Sequence, residues 1–360
     1  LALLALGLLT PWTGIWEPWE ADRAQVVEHM REAGYWLTVE RPGPRGGMYV
    51  PELAFGWWPV MASTAVFGVT ELGLRLPGIL LGLLTVLLAF RVVRPLFGRL
   101  AGWLSALALL AMPLFVFHSR LLLGGGVGLG VVGLTGLAFV GLATRTQAGP
   151  AWRWGAWLGV AASGLIEGLP GLAVTGAAAV AAALAKRQRD EDWRVVCPPA
   201  AVGLAAVLVA LGWWRSLAHL PEDGDWRALL LWADGLEAAQ AAKRPFFNAF
   251  VHQLGFGLFP LGAFFPLALA DLLWRPQVPG EAPQAAPAAP VLATLFAVGF
   301  MAPALGQGFG QWGAFMAAPA VAVAVGIYFA RALREPPQPL LALVAVITLA
   351  LLDSNLKHET

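Results

Sequence analysis

Charge, cysteine and histidine are all scarce in this chain. Only 12% of its 360 residues are charged, against 58% that are hydrophobic, and the mean hydropathy is +0.69. A single soluble core cannot bury that much apolar surface, which excludes an ordinary soluble domain and leaves a polytopic membrane protein. The one cysteine, Cys197, excludes an intrachain disulfide framework and a thiolate metal cluster. Five dispersed histidines offer no zinc-ligand spacing, so neither metal nor cofactor is expected. A formal net charge of +1 without a basic stripe excludes nucleic acid as a partner. The chain opens at Leu1 without a Met, and no small-residue cleavage site follows residues 1–9. This segment therefore reads as part of a first span, open to preceding residues, rather than as a cleaved signal peptide.

What the chain does have is apolar runs of membrane-crossing length, about 20 residues each. Cutting at charges and prolines predicts about eleven spans, near 1–15, 72–93, 100–117, 121–143, 152–170, 169–185, 196–214, 247–273, 288–304, 313–331 and 338–352. The fifth and sixth meet at Gly168-Leu169-Pro170, a tight turn. The expected fold is an all-α transmembrane bundle, divided into a module over 1–214 with a long first loop at 16–71 and a second module over 215–360. Arg91, Arg94, Arg99, Arg145, Arg153, Lys186, Arg187, Arg275, Arg331 and Arg334 fall on one side, which the positive-inside rule makes cytoplasmic. Most carboxylates, from Glu17 to Glu52 and from Glu222 to Glu237, fall on the other, expected to be periplasmic. This is the pattern of a multi-pass protein of a bacterial inner membrane.

The first loop opens with a knot of acid and tryptophan, Glu17-Pro18-Trp19-Glu20-Ala21-Asp22-Arg23. Charges at such a place need solvent, a partner or a substrate. Residues 21–33 carry apolar side chains at helical spacing, 55–69 read as an aromatic-belt helix with Trp57 and Trp58, and the stretch from Asp225 to Ala242 suggests a third amphipathic element. Together they would frame a vestibule. Gly124-Gly125-Gly126-Val127-Gly128-Leu129-Gly130 superficially matches a dinucleotide fingerprint, but no strand precedes it. Small residues at four-residue spacing, Gly124 with Gly128 and Gly126 with Gly130, fit close helix packing within the chain or against a partner subunit.

Several strings, taken in order, resemble a known superfamily. Glu17-Pro18-Trp19-Glu20, Met30, Gly34-Tyr35-Trp36, Phe67-Gly68, Glu71, Arg75-Leu76-Pro77, Phe97-Gly98, Pro113 with Ser119-Arg120, and Arg244-Pro245-Phe246-Phe247 leading to Phe259-Pro260 are similar to the GT-C glycosyltransferases. The similarity is to the protein O-mannosyltransferase and aminoarabinose transferase branch. The resemblance implies a GT-C bundle with amphipathic helices on the outer face, and a polyprenyl-phosphate sugar, or another lipid, as partner. It also implies a carboxylate base for the acceptor hydroxyl and cations for the departing phosphate. On that reading Glu17 and Glu20 are the catalytic acids, Arg75, Arg120 and Arg244 the phosphate contacts, and Trp57 and Trp58 the sugar-stacking residues.

The chain departs from the family pattern at its chemistry. The usual catalytic Asp falls at Trp19, the second acid falls within Gly124-Gly125-Gly126, and two lysines are replaced by Val50 and Glu167. Exchanging two cations for a neutral residue and an anion disfavours an anionic donor by several kcal/mol in a low-dielectric cleft. Arg75, Arg120, Arg215, Lys243 and Arg244 are the cations available for a relocated pocket. The alternative is an inactive homologue that keeps the fold and serves as a structural or regulatory subunit among other membrane proteins. Transport is disfavoured because the spans carry almost no midplane charge.

Overall fold

The computed structural model of the protein describes residues 6–7, 14–15, 19–34, 36–42, 49–122, 126–145, 148–220, 226–231, 257–307, 316–335 and 347. The expected spans at 1–15 and 338–352 lie essentially outside these residues, as does much of 247–273. The first-loop helix α1, Trp19–Ala33, carries Glu20 and Asp22 in its first turn and Arg31 in its last, charges that suit the helix dipole. An antiparallel hairpin follows, β1 (Thr38–Pro42) paired with β2 (Tyr49–Leu53). Then comes α2, Trp58–Phe67. It leaves Trp58, Val66 and Phe67 exposed, whereas Trp57, expected in the same aromatic belt, is buried.

The long helix α3, Glu71–Phe97, begins where the Thr70 hydroxyl accepts the Gly73 N–H at 3.2 Å and ends before Gly98, a start and stop signal in the expected places. The predicted span at 100–117 is not straight. It divides into α4 (Arg99–Ala111) and α5 (Pro113–Arg120), bent by 70°. Pro113 lacks an N–H to continue the helix and forces the extended backbone seen at Met112 (φ −82°, ψ 114°).

Helix α6, Gly126–Thr144, is buried along most of its length. Its glycines let neighbours reach the backbone: Gly126 faces the His118 carbonyl, Gly130 the side chain of Leu81, and Gly133 and Gly136 those of Pro319 and Leu295. Lipid tails give no hydrophobic drive for helix association, so such close approach supplies the packing. The glycine run thus packs against segments of its own chain. Helix α7, Pro150–Arg187, contains the turn expected at Gly168, which adopts φ 62°, ψ −146°. In that region glycine carries no steric penalty. Beyond it the chain folds back, so that Gly164 meets the side chain of Leu172 and Gly171 meets the Ser163 carbonyl. Helix α8, Pro199–Leu217, and the short α9, Trp226–Leu231, complete this part.

After these come α10 (Phe265–Trp274), α11 (Ala288–Gln307) and α12 (Ala318–Ala332). The largest apolar cluster draws on α3 to α7 and on α10 to α12 together, with α12 packed along α4 and α11 along α7. Among the described residues, five helices are long and apolar enough to cross a membrane, or six if the bent pair α4–α5 is one span.

Candidate functional site

The acidic knot is anchored. Glu20 is 2% exposed, and Arg75 of α3 grips its carboxylate with two bonds, Nε to Oε1 at 2.9 Å and an Nη2 bond to Oε2 at 2.5 Å. The Leu122 N–H, just past α5, donates to Oε1 at 2.8 Å, and Arg75 also donates to the Gly14 carbonyl at 2.8 Å. A bidentate, charge-assisted pair of this kind is strong where water is excluded. The two residues expected in separate roles, base and phosphate contact, neutralise one another. In this arrangement Glu20 is not poised to take a proton, because its lone pairs point at three donors.

The clamp holds α1 against the bundle, and apolar packing does the rest. Val26, Val27 and Met30 of α1 are buried with Trp57, Val60 and Met61 from the α2 region, Leu74 of α3, Leu122, and Val127 of α6. A second tie runs from Arg23 to Glu52 of β2 at 3.5 Å, with the Arg23 guanidinium 5.9 Å from the Trp57 ring centre. Trp57 is therefore walled in at 3% exposure, whereas Trp58 is 43% exposed. Trp58 is held in place by its indole N–H, which donates to the Trp36 carbonyl at 2.8 Å. Arg120 is half-buried at the end of α5. Glu17 and Arg244 lie outside the described residues.

Sequence reasoning missed Arg23 and Glu52 as members of this group. It underrated Glu167, which precedes the Gly168 turn and is buried. The Glu167 carboxylate fills the space left by the missing side chain of Gly128 and lies within electrostatic reach of Glu52. Among the described residues no cation pairs with this carboxylate. Arg120, the partner considered from the sequence, is not paired with it. No group of three or more metal-ligating side chains occurs among the described residues.

Proteins of known structure share the fold. The chain superposes on the crystal structure of ArnT from Cupriavidus metallidurans bound to undecaprenyl phosphate with a TM-score of 0.68, over 91% of this chain at 20% identity. At that identity the likeness is one of fold. The profile of the dolichyl-phosphate-mannose-protein mannosyltransferase family matches residues 54–214, from the start of the α2 region nearly to the end of α8. Among curated GT-C relatives, an undecaprenyl phosphate-alpha-4-amino-4-deoxy-L-arabinose arabinosyl transferase of Pseudomonas aeruginosa is 34% identical over 100 residues. That match is 27% of this chain and 18% of the relative. A Pseudomonas fluorescens counterpart is 36% identical over 98 residues, 26% of this chain and 16% of its own. The chain spans 58% of the length of the Cupriavidus protein. Within this fold Glu20 is engaged by Arg75.

Proposed function

We propose that the protein transfers a sugar from a polyprenyl-phosphate donor to an acceptor hydroxyl at the periplasmic face of a bacterial inner membrane. The observation that carries this reading is the Glu20–Arg75 clamp, which seats the acidic first loop over the ends of α3, α5 and α6 in a GT-C fold. The Cupriavidus relative bound to undecaprenyl phosphate supports the donor class, and the excess of cations on the opposite side supports the orientation. In the reaction, the acceptor oxygen attacks the anomeric carbon and the bond from that carbon to the phosphate oxygen breaks. The polyprenyl phosphate leaves, and the acceptor proton passes to a carboxylate. Glu20 and Arg75 position the loop. Glu17, in the same acidic knot, is the base; Arg120 and Arg244 meet the leaving phosphate, and the exposed Trp58 offers a face to the sugar.

One observation favours the second reading, an inactive GT-C homologue acting as a structural or regulatory subunit. Trp19 stands where the family acid belongs, and the neighbouring Glu20 is fully engaged. A turnover assay separates the two. Purified protein is incubated with a panel of polyprenyl-phosphate sugars and released polyprenyl phosphate is measured. The transferase reading expects turnover, with a loss of about 100-fold or more in Glu17→Gln, the scale of a missing general base. Absence of turnover in the unsubstituted protein, together with stoichiometric co-purification of other membrane proteins, establishes the subunit reading.

A further inference from the structure

A second site runs along α3, α6 and α7, from Val131, whose side chain also packs against the first-loop cluster, to Trp152 near the arginine-rich end. Between these helices runs a groove of about 480 Å³, lined by side chains that include Leu88 of α3, Leu134 and Ala138 of α6, and Trp152 and Leu158 of α7. Leu88 lies about 20 Å along α3 from Arg75, at about 1.5 Å per residue. The groove is apolar: the hydroxyl of Thr135 in its wall already donates to the Val131 carbonyl at 2.7 Å. Gly155 leaves it open, since nothing lies within 4 Å of the place a side chain would occupy there.

Beyond the groove, towards the arginine-rich end, is a more polar recess of about 320 Å³, lined by Val92, Leu96, Thr144, Arg145 and Gln284 among others. Trp152 stands between the two. Its ring packs on the backbone of Gly141, which lines the recess, and the Arg145 guanidinium lies 3.8 Å from its ring centre. Arg145 therefore rests flat on an aromatic face instead of extending into water. Among the described residues no carboxylate pairs with it, and burial pushes its pKa down with no anion to offset that effect. Arg91, one turn beyond Leu88 on α3, is exposed and likewise has no carboxylate partner among the described residues. An apolar groove that leads to a recess lined by Arg145, with Arg91 one helical turn from the groove residue Leu88, matches one kind of membrane component.

We propose that this slot binds an anionic phospholipid from the leaflet at the arginine-rich face, with an acyl chain along the groove beside Gly155 and Leu158 and its phosphate between Arg145 and Arg91. The phosphate end of the site, at Arg145 just past α6, lies at the other end of that helix from the Glu20–Arg75 clamp, and the inference does not depend on sugar transfer. The test uses the full chain in nanodiscs of equal parts phosphatidylglycerol and phosphatidylethanolamine, followed by native mass spectrometry of retained lipid. Phosphatidylglycerol is expected to be retained preferentially. Arg145→Ala should lower that retention about fivefold, the usual effect of one cation at an anionic membrane surface, while Arg145→Lys keeps most of it. Gly155→Leu, at an open position that should not disturb folding, should displace the lipid with Arg145 intact. Equal retention of the two lipids, or retention unchanged in both Arg145→Ala and Gly155→Leu, overturns the proposal. So does displacement of phosphatidylglycerol by millimolar inorganic phosphate alone, which would make the site a bare anion pocket. If Arg145→Ala does not yield a monodisperse protein, Gly155→Leu decides.

Discussion

The two ends of the bundle handle buried charge in opposite ways. At the first-loop end a buried pair carries the charge: Glu20 and Arg75, both nearly inaccessible, joined by 2.9 and 2.5 Å bonds and backed by the Leu122 N–H. At the other end, charges form a mesh. Arg331 donates to Glu281 at 2.8 and 2.7 Å, to Asp271 at 2.7 Å and to the Arg275 carbonyl at 2.8 Å. Arg275 in turn pairs with Glu335 and lies 3.4 Å from Asp271, and Lys186 reaches both Glu191 and the Arg145 carbonyl. A mesh shares its load, so losing one member leaves the others partnered. A single clamp does not, which concentrates the cost of change on two residues beside the candidate site.

The sharpest way to break this contrast is Arg75→Ala. It leaves the buried Glu20 carboxylate without its guanidinium partner, the Leu122 N–H still donating to it, and should cost about 3–5 kcal/mol, read as a large drop in thermal midpoint in detergent or loss of folded protein. Adding Glu20→Gln should restore a substantial part, because the stranded charge is then gone. A double variant no better than Arg75→Ala would show that the arginine acts through other contacts. Next in size is Gly128→Leu, whose side chain collides with the Glu167 carboxylate; overpacking of this kind costs about 1–3 kcal/mol. Stability unchanged in that variant would mean that Glu167 swings aside readily. The smallest effect belongs to Arg275→Gln. The Arg275 side chain is 41% exposed, and although its bond to Glu335 raises its pKa, solvent and salt screen the pair to about 1 kcal/mol or less. A loss as large as that of Arg75→Ala would remove the distinction between mesh and clamp.

Much of this was legible in the sequence because membrane segments obey few rules. Apolar runs located α3, α6, α7, α8 and α11 to within a few residues, and Gly168-Leu169-Pro170 marked the reversal inside α7 because few other strings turn so sharply. The glycine run of α6 was read as packing because small residues permit close approach whatever the partner. Two local features escaped. Pro113 was noted as part of a motif, yet the bend it imposes at Met112 was not drawn. The β1–β2 hairpin carries alternation at Tyr49, Val50, Pro51, Glu52 and Leu53, but Pro42 and Pro51 lower the strand signal, and isolated two-stranded hairpins are rarely stable alone. At the site, Glu20 and Arg75 were both singled out, but not as partners. They stand 55 positions apart, and single-sequence pattern reads periodicity and motifs, not which distant charges meet.

The clamp also dates its own formation. Its third bond, from the Leu122 N–H to Glu20, joins residues 102 positions apart. During synthesis the acidic loop emerges ahead of these partners and is fully secured only after α3, α4 and α5 have been made. Arg75 arrives early enough to catch Glu20, but the lock closes only when the segment past α5 comes into place. The mouth of this protein is therefore completed by a segment beyond its own loop, once the nascent chain has passed residue 122.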